Sequence, residues 1–229
     1  MLDFENLLAQ HQVFLTDWQK QQFFRYAKLL IEYNQKINLT AIVNEAEIYE
    51  KHFYDSFLPA LIYPMQGSLC DVGAGAGFPS LPLKIIYPDL KITIIEPLKK
   101  RIKFLEVLSN ELKLDVNLVN ERAEVYSKTN REKFDIVTAR AVAQLPILIE
   151  LCGALVKKEG VFLALKGQAA HFEVEKAIYA AEAMGLKLEK IHQQALNQEI
   201  NRYNIIYRKI KATPKKYPRQ FALIKKKPL

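Results

Sequence analysis

Leu69-Cys70-Asp71-Val72-Gly73-Ala74-Gly75-Ala76-Gly77-Phe78-Pro79 is the stretch that decides how the rest of this chain is read. A short apolar run carries an acid near its end, and glycines follow at alternate positions. Glycines so spaced let the backbone turn sharply after a strand and let a ligand lie directly against the main chain. The loop leads into a helix, so it reads as a nucleotide-type cradle with Asp71, Gly73, Gly75 and Gly77 as candidate binding residues. Two related cradles are excluded. A dinucleotide fingerprint, G-x-G-x-x-G, needs a small residue where Phe78 stands, and the Gly-Lys-Ser/Thr ending of a phosphate-binding P-loop is missing. Asp-x-Gly-x-Gly-x-Gly is the form used where the ligand is S-adenosylmethionine, which has no phosphates to hold.

From Ser68 onward, strand and helix patterns alternate. The apolar strand candidates are Leu69–Val72, 91–96, 115–119, 134–139, 161–165, 186–192 and 204–210. Helical stretches separate the first five, and Pro97 suits the first turn of one of them. Such alternation predicts an α/β fold: a mostly parallel, seven-stranded, Rossmann-like sheet with helices on both faces. The last two candidates have no long helix between them, which predicts an antiparallel finish. Residues 1–64 read as a helical extension. There, Thr16 or Asp17 can cap a helix with Trp18, Phe23, Ala27, Leu30 and Ile31 on its apolar stripe, and Asn44 with Glu47 resembles a capping box. Pro59 and Pro64 mark the boundary. The expected division is therefore an extension over 1–64, a cofactor-binding domain over 65–210 and a basic tail over 211–229.

The chain has 229 residues, half of them hydrophobic, enough to bury a full core. Its net charge of +8 is unevenly placed. Between Lys211 and Leu229 there are seven basic residues and no acid, whereas the first 210 residues hold 26 basic and 25 acidic ones. A basic tail on a nearly neutral body ordinarily serves a polyanion, nucleic acid before membrane. Cys70 and Cys152 lie in apolar runs and read as buried, reduced thiols; the four histidines are scattered, so no metal site is expected. The acidic start lacks a signal segment, and no apolar run approaches the roughly 20 residues of a membrane span. These features read as a cytoplasmic protein.

In doubly wound folds the ligand sits at the carboxyl ends of the strands. Glu96 ends the second strand candidate, 19 residues after Gly77, where an acid can accept hydrogen bonds from both ribose hydroxyls. Arg122-Ala123-Glu124 follows the third, at a position that lies along the adenine edge in such folds. Arg140 ends the fourth and Lys166-Gly167 the fifth, both inside the expected cleft. His52, Asp55 and Ser56 share a helix face. Without a G-x-S-x-G elbow they read as a solvated face rather than as nucleophilic machinery.

Several motifs occur in a fixed order: Asn38-Leu39-Thr40-Ala41-Ile42, His52 with Asp55-Ser56, the glycine loop through Pro79, Lys100-Arg101 with Phe104-Leu105, Arg122-Ala123-Glu124, Arg140-Ala141, and Ala164-Leu165-Lys166-Gly167. Together they resemble the bacterial small-subunit rRNA guanine-N7 methyltransferases of the RsmG family, also called glucose-inhibited division protein B, over nearly the whole chain. The resemblance implies a class I methyltransferase fold with an N-terminal helical extension. It implies S-adenosylmethionine as cofactor and 16S rRNA, or a small-subunit precursor, as partner. The implied target is a guanine of the 530 loop, G527 in conventional numbering. By matching motifs, Gly73, Phe78, Ala123, Glu124 and Arg140 would hold the cofactor, while His52, Arg140 and Lys166 are positioning candidates with no assigned catalytic base. Ser80 stands where the family usually has glycine, and the segment after Arg219 departs from most relatives. The rival readings are a methyltransferase of small molecules or proteins, which leaves the basic tail unexplained, and a non-catalytic ribosome-assembly factor, against which the intact glycine loop and Glu96 argue. The oligomeric state is not fixed by the sequence; a monomer is expected.

Overall fold

A computed structural model describes residues 1–229, the side chain of Leu2 excepted. The chain opens with helices α1 (Leu2–Ala9) and α2 (Asp17–Ile37). A third helical stretch begins as α3 (Glu45–Ile48), widens into a π-turn over Tyr49–Tyr54 and closes as α4 (Asp55–Phe57), followed by a tight turn over Leu58–Leu61. Then come β1 (Ser68–Val72), α5 (Ser80–Ile86), β2 (Lys91–Ile95), α6 (Lys99–Glu111), β3 (Val116–Val119), α7 (Ala123–Tyr126), β4 (Phe134–Arg140), α8 (Leu145–Gly153) and β5 (Val156–Lys166). The remaining elements are α9 (Ala170–Lys176), α10 (Ile178–Ala183), β6 (Leu186–Ala195), β7 (Asn201–Lys209) and α11 (Phe221–Lys226).

The strands form one seven-stranded sheet in the order β3-β2-β1-β4-β5-β7-β6. Pairing from β3 through β5 is parallel, and β7 runs antiparallel to both β5 and β6. The predicted antiparallel finish is therefore present, with the last strand inserted between β5 and β6. This inversion has a functional consequence. It brings the start of β7, with Arg202 and Tyr203, to the same edge as the carboxyl ends of the parallel strands, where Tyr203 pairs with Lys166.

Strand residues alternate between two apolar layers, as the period of two requires. Leu69, Ile92, Ile94, Ile136 and Leu163 face one layer, built with Phe23, Leu30, Phe53 and Phe104. Cys70, Val72, Val137, Phe162 and Ala164 face the other, built with Leu148, Ile149 and Leu155. Both cysteines are buried free thiols. The helices of 1–64 thus share a core with the sheet. Thr16 makes the capping box of α2 with Gln19, whose side-chain amide also donates to the Ile85 carbonyl (2.7 Å). Trp18, expected on the apolar stripe, is instead half exposed beneath the Lys113 ammonium, because the buried face of α2 runs through Phe23, Tyr26 and Leu30. Among the described residues, no helix is long and apolar enough to cross a membrane.

The C-terminal segment is built into the fold rather than hanging free as an arm. Tyr217 and Ile224 are buried in the second layer. The Arg131 guanidinium donates to the carbonyls of Thr213 and Tyr217 (2.7 Å each). Arg219 forms a two-pronged ion pair with the fully buried Glu150 (2.8 and 2.6 Å). Its apolar residues could not be told apart from a solvated tail because they are few and set among lysines.

Candidate active site

The glycine loop leaves β1 at the carboxyl edge of the sheet, with Gly73, Gly75 and Gly77 all at positive φ. A side chain at Gly73 would strike Val142 of the loop after β4 (2.7 Å), and one at Gly77 would strike Leu81 and the Tyr26 hydroxyl (2.6 and 2.7 Å). Gly75 differs: a Cβ there would meet nothing closer than Arg101, at 4.0 Å. The backbone at Gly75 is therefore bare toward the outside of the loop. The loop is held from behind by Tyr26, whose hydroxyl donates to the Ala76 carbonyl (2.6 Å).

Glu96, buried at the end of β2, accepts from the backbone N–H of Gly75 (3.2 Å) on one oxygen and from that of Leu98 (3.0 Å) on the other. Arg101 approaches the first oxygen at 3.4 Å. The carboxylate thus ties the glycine loop to the entry of α6. Asp71 is fully buried behind the loop, and its Oδ2 accepts from the Ser80 N–H (3.2 Å). Burial pushes its carboxyl up to about 7, although the Ser80 hydrogen bond pulls the other way. Asp71 Oδ1 and the Ser80 hydroxyl have no partner. A bare glycine, a buried carboxylate beside it and orphaned polar atoms behind it fit the recognition of a ribose-bearing ligand held against main chain. Ala123 and Glu124 open α7 directly after β3 and are largely buried.

The second half of the site centres on Phe78. Its ring stacks on Tyr26 (centroids 5.4 Å apart) and on His52 (4.5 Å), and the Arg140 guanidinium lies 4.9 Å from the ring centre. Arg140 donates to Asp55 Oδ2 (2.8 Å) and approaches His52 Nδ1 (3.4 Å). On its other side, His52 Nε2 is hydrogen-bonded to the Thr40 hydroxyl (2.8 Å). Burial, reinforced by the charge of Arg140, pulls His52 down to about 3. The imidazole is neutral at physiological pH and a poor base.

Asp55 also accepts from Arg202 Nε (2.8 Å), so one buried carboxylate joins the N-terminal helices, the end of β4 and the start of β7. Lys166 pairs with Glu173 (2.7 Å) and donates to the Ala143 carbonyl (3.0 Å). His52, Asp55, Arg140, Lys166, Glu173 and Arg202 line a cleft of about 440 Å³. The structure thus brings His52, Arg140 and Lys166 together, and sets Asp71, the glycines, Phe78 and Glu96 along the adjoining loop.

The solvated-face reading of His52, Asp55 and Ser56 is corrected: Asp55 and Ser56 are buried and His52 lines the cleft, because Arg140 and Arg202 neutralise the carboxylate and Ser56 donates to the His52 carbonyl (2.5 Å). Arg202 and Tyr26 carry no local signal that could have singled them out. Thr40 lay within a motif already noted.

Residues 19–202 match the family described as rRNA small subunit methyltransferase G. The chain is 50% identical over 227 residues to "Ribosomal RNA small subunit methyltransferase G" of Staphylococcus epidermidis, covering 97% of this chain and 95% of that protein. It is 48% identical, with the same coverage, to the protein of that name from Staphylococcus aureus strain Newman. Among solved structures, M. jannaschii TYW2 in complex with AdoMet aligns with a TM-score of 0.53 at 16% identity, over 69% of this chain and 76% of that one. The YcgJ protein of Bacillus subtilis aligns at 0.55 with 13% identity, over 70% and 100%. At these identities the two structures speak to the fold alone. The chain belongs to the rRNA small subunit methyltransferase G family.

Proposed function

We propose that this protein is an S-adenosylmethionine-dependent rRNA methyltransferase that modifies N7 of a guanine in the 530 loop of 16S rRNA, the position conventionally numbered G527. The observation that carries the reading is the pairing of a bare Gly75 backbone and buried Glu96 with an adjoining cleft whose imidazole is held neutral, in a chain of this family. Gly73, Gly75, Gly77 and Phe78 would lie along the cofactor, Glu96 would take its ribose hydroxyls, Ala123 and Glu124 would border its adenine, and Asp71 and Arg140 would back the loop. When bound, S-adenosylmethionine supplies an electrophilic methyl group on a sulfonium.

Guanine N7 carries a free lone pair at neutral pH, so nothing has to remove a proton before attack. The neutral, weakly basic His52 suits that chemistry, since its work is to present a flat ring, not to accept a proton. Arg140, fixed by Asp55, shapes the wall between loop and cleft. The remaining task is to hold N7 in a near-attack geometry. The deep major groove of an RNA helix hides N7, so the target must be presented from a loop or splayed out. The cleft volume of about 440 Å³ falls in the range of small-ligand sites.

The test is methyl transfer from labelled S-adenosylmethionine by the purified protein, with 16S rRNA, small-subunit particles and bulk protein offered separately. Label on rRNA in either form supports the reading. Label confined to protein or to small molecules overturns it.

A further inference from the structure

The C-terminal segment carries seven basic residues and no acid. Arg219 is engaged by the buried Glu150. Lys211, Lys215, Lys216, Lys225, Lys226 and Lys227 are all exposed, and none has a carboxylate partner among the described residues. Elsewhere on the surface the lysines are mixed: Lys20, Lys28, Lys36 and Lys157 each stand against an acid, whereas Lys99, Lys100 and Lys103 have none among the described residues. The segment is thus anchored to the body of the fold, and six of its seven cations are left without a carboxylate partner.

Its anchoring is extensive. The Thr213 hydroxyl accepts from the buried Lys209 ammonium, and the Thr213 N–H donates to the Glu132 carboxylate (2.8 Å). Arg131 clasps the turn at Thr213 and Tyr217. At the start of α11 the Phe221 ring lies 4.9 Å beneath the Arg122 guanidinium, and Arg122 is the residue directly before Ala123 and Glu124. The start of α11 thus stands beside the β3 end of the site, while its other end returns to Arg219, which donates to the Lys227 carbonyl (3.1 Å). Cations on an ordered backbone bind a polyanion with less ordering cost than cations on a loose arm.

We infer that this latched segment is a phosphate-binding platform for the rRNA substrate, gripping backbone outside the loop that enters the cleft. The inference rests on the rRNA reading above and adds a second contact surface to it. Because the platform touches phosphates, it fixes register without reading sequence. Its removal should raise KM for RNA while leaving kcat at saturation unchanged.

The experiment compares three proteins: wild type, the variant Lys225→Gln/Lys226→Gln/Lys227→Gln, and a control Lys20→Gln/Lys28→Gln/Lys36→Gln with the same loss of charge from acid-paired positions. Affinity for a 16S rRNA fragment containing the 530 loop is measured across salt concentrations, alongside S-adenosylmethionine affinity and Tm. If two phosphate contacts are lost, the log–log salt slope flattens by about 1.4 and binding weakens about 25-fold at 0.1 M salt. Cofactor affinity and Tm stay at the wild-type values, and the control keeps the wild-type slope. A tail variant with the wild-type slope overturns the platform and leaves the rRNA reading standing, as does a tail variant that loses Tm and both affinities together. A wild-type protein that neither binds nor methylates the RNA overturns the reading itself.

Discussion

Replacing Gly75 separates cofactor binding from folding. Gly75 sits at φ +61°, and a Cβ there has no neighbour within the protein closer than 4.0 Å. Gly75→Ala therefore creates no internal clash. Its cost is that of holding an L-residue in left-handed backbone, about 1–2 kcal/mol. For a chain of this length that loss lowers Tm by about 2–8 °C. The added methyl stands where the ligand is proposed to lie, and overpacking a fitted contact costs about 1–3 kcal/mol, or roughly 5–150-fold in Kd. Gly75→Val adds a branched side chain and should abolish binding. Gly77→Ala is the counter-example, because its Cβ would stand 2.6 Å from Leu81 and 2.7 Å from the Tyr26 hydroxyl. That variant should lose stability first and affinity as a consequence. Titration calorimetry with S-adenosylmethionine and thermal melts on the three variants give the comparison. A Gly75→Val protein that melts a few degrees low yet binds with the wild-type Kd would refute the placement of the cofactor.

Two further outcomes follow from the site's polar groups. Glu96→Ala removes the acceptor of the Gly75 and Leu98 amides and should weaken cofactor binding by about 1.5–3 kcal/mol, Glu96→Gln by less; calorimetry reads both. His52 has a folded pKa of about 3, below its unfolded value near 6.5, so its neutral state stabilises the fold above pH 6.5, and that contribution is lost as pH falls from 6.5 toward 3. Its titration should leave no inflection in single-turnover methylation between about pH 6 and 9, and His52→Gln should flatten the fall of Tm over the acid window. A rate profile with a midpoint near 6.5 that His52→Gln removes would contradict the assignment.

The sheet was legible because its strands are short β-rich runs set between helical stretches, and because Gly73, Gly75 and Gly77 announce the turn after β1. The start of β5 was missed: Lys157, Lys158 and Glu159 carry it outward as exposed polar residues before the apolar run at Val161. The loop half of the site could be read from one contiguous motif. The cleft half could not. Asp55 is buried only because two arginines, 85 and 147 residues further along the chain, converge on it, and no local pattern encodes that meeting. Whether the C-terminal segment packs or hangs free could not be read for the same reason: Arg219 is neutralised by Glu150, 69 residues away.

The most direct test reads which atom of which nucleotide is changed. In rRNA from cells with and without this gene, N7-methylguanine converts to a strand break on reduction and aniline treatment, and primer extension locates the break. A stop at a single guanine of the 530 loop of 16S rRNA is expected in cells carrying the gene, and its loss in cells lacking it. An identical pattern of breaks in the two RNAs would contradict it.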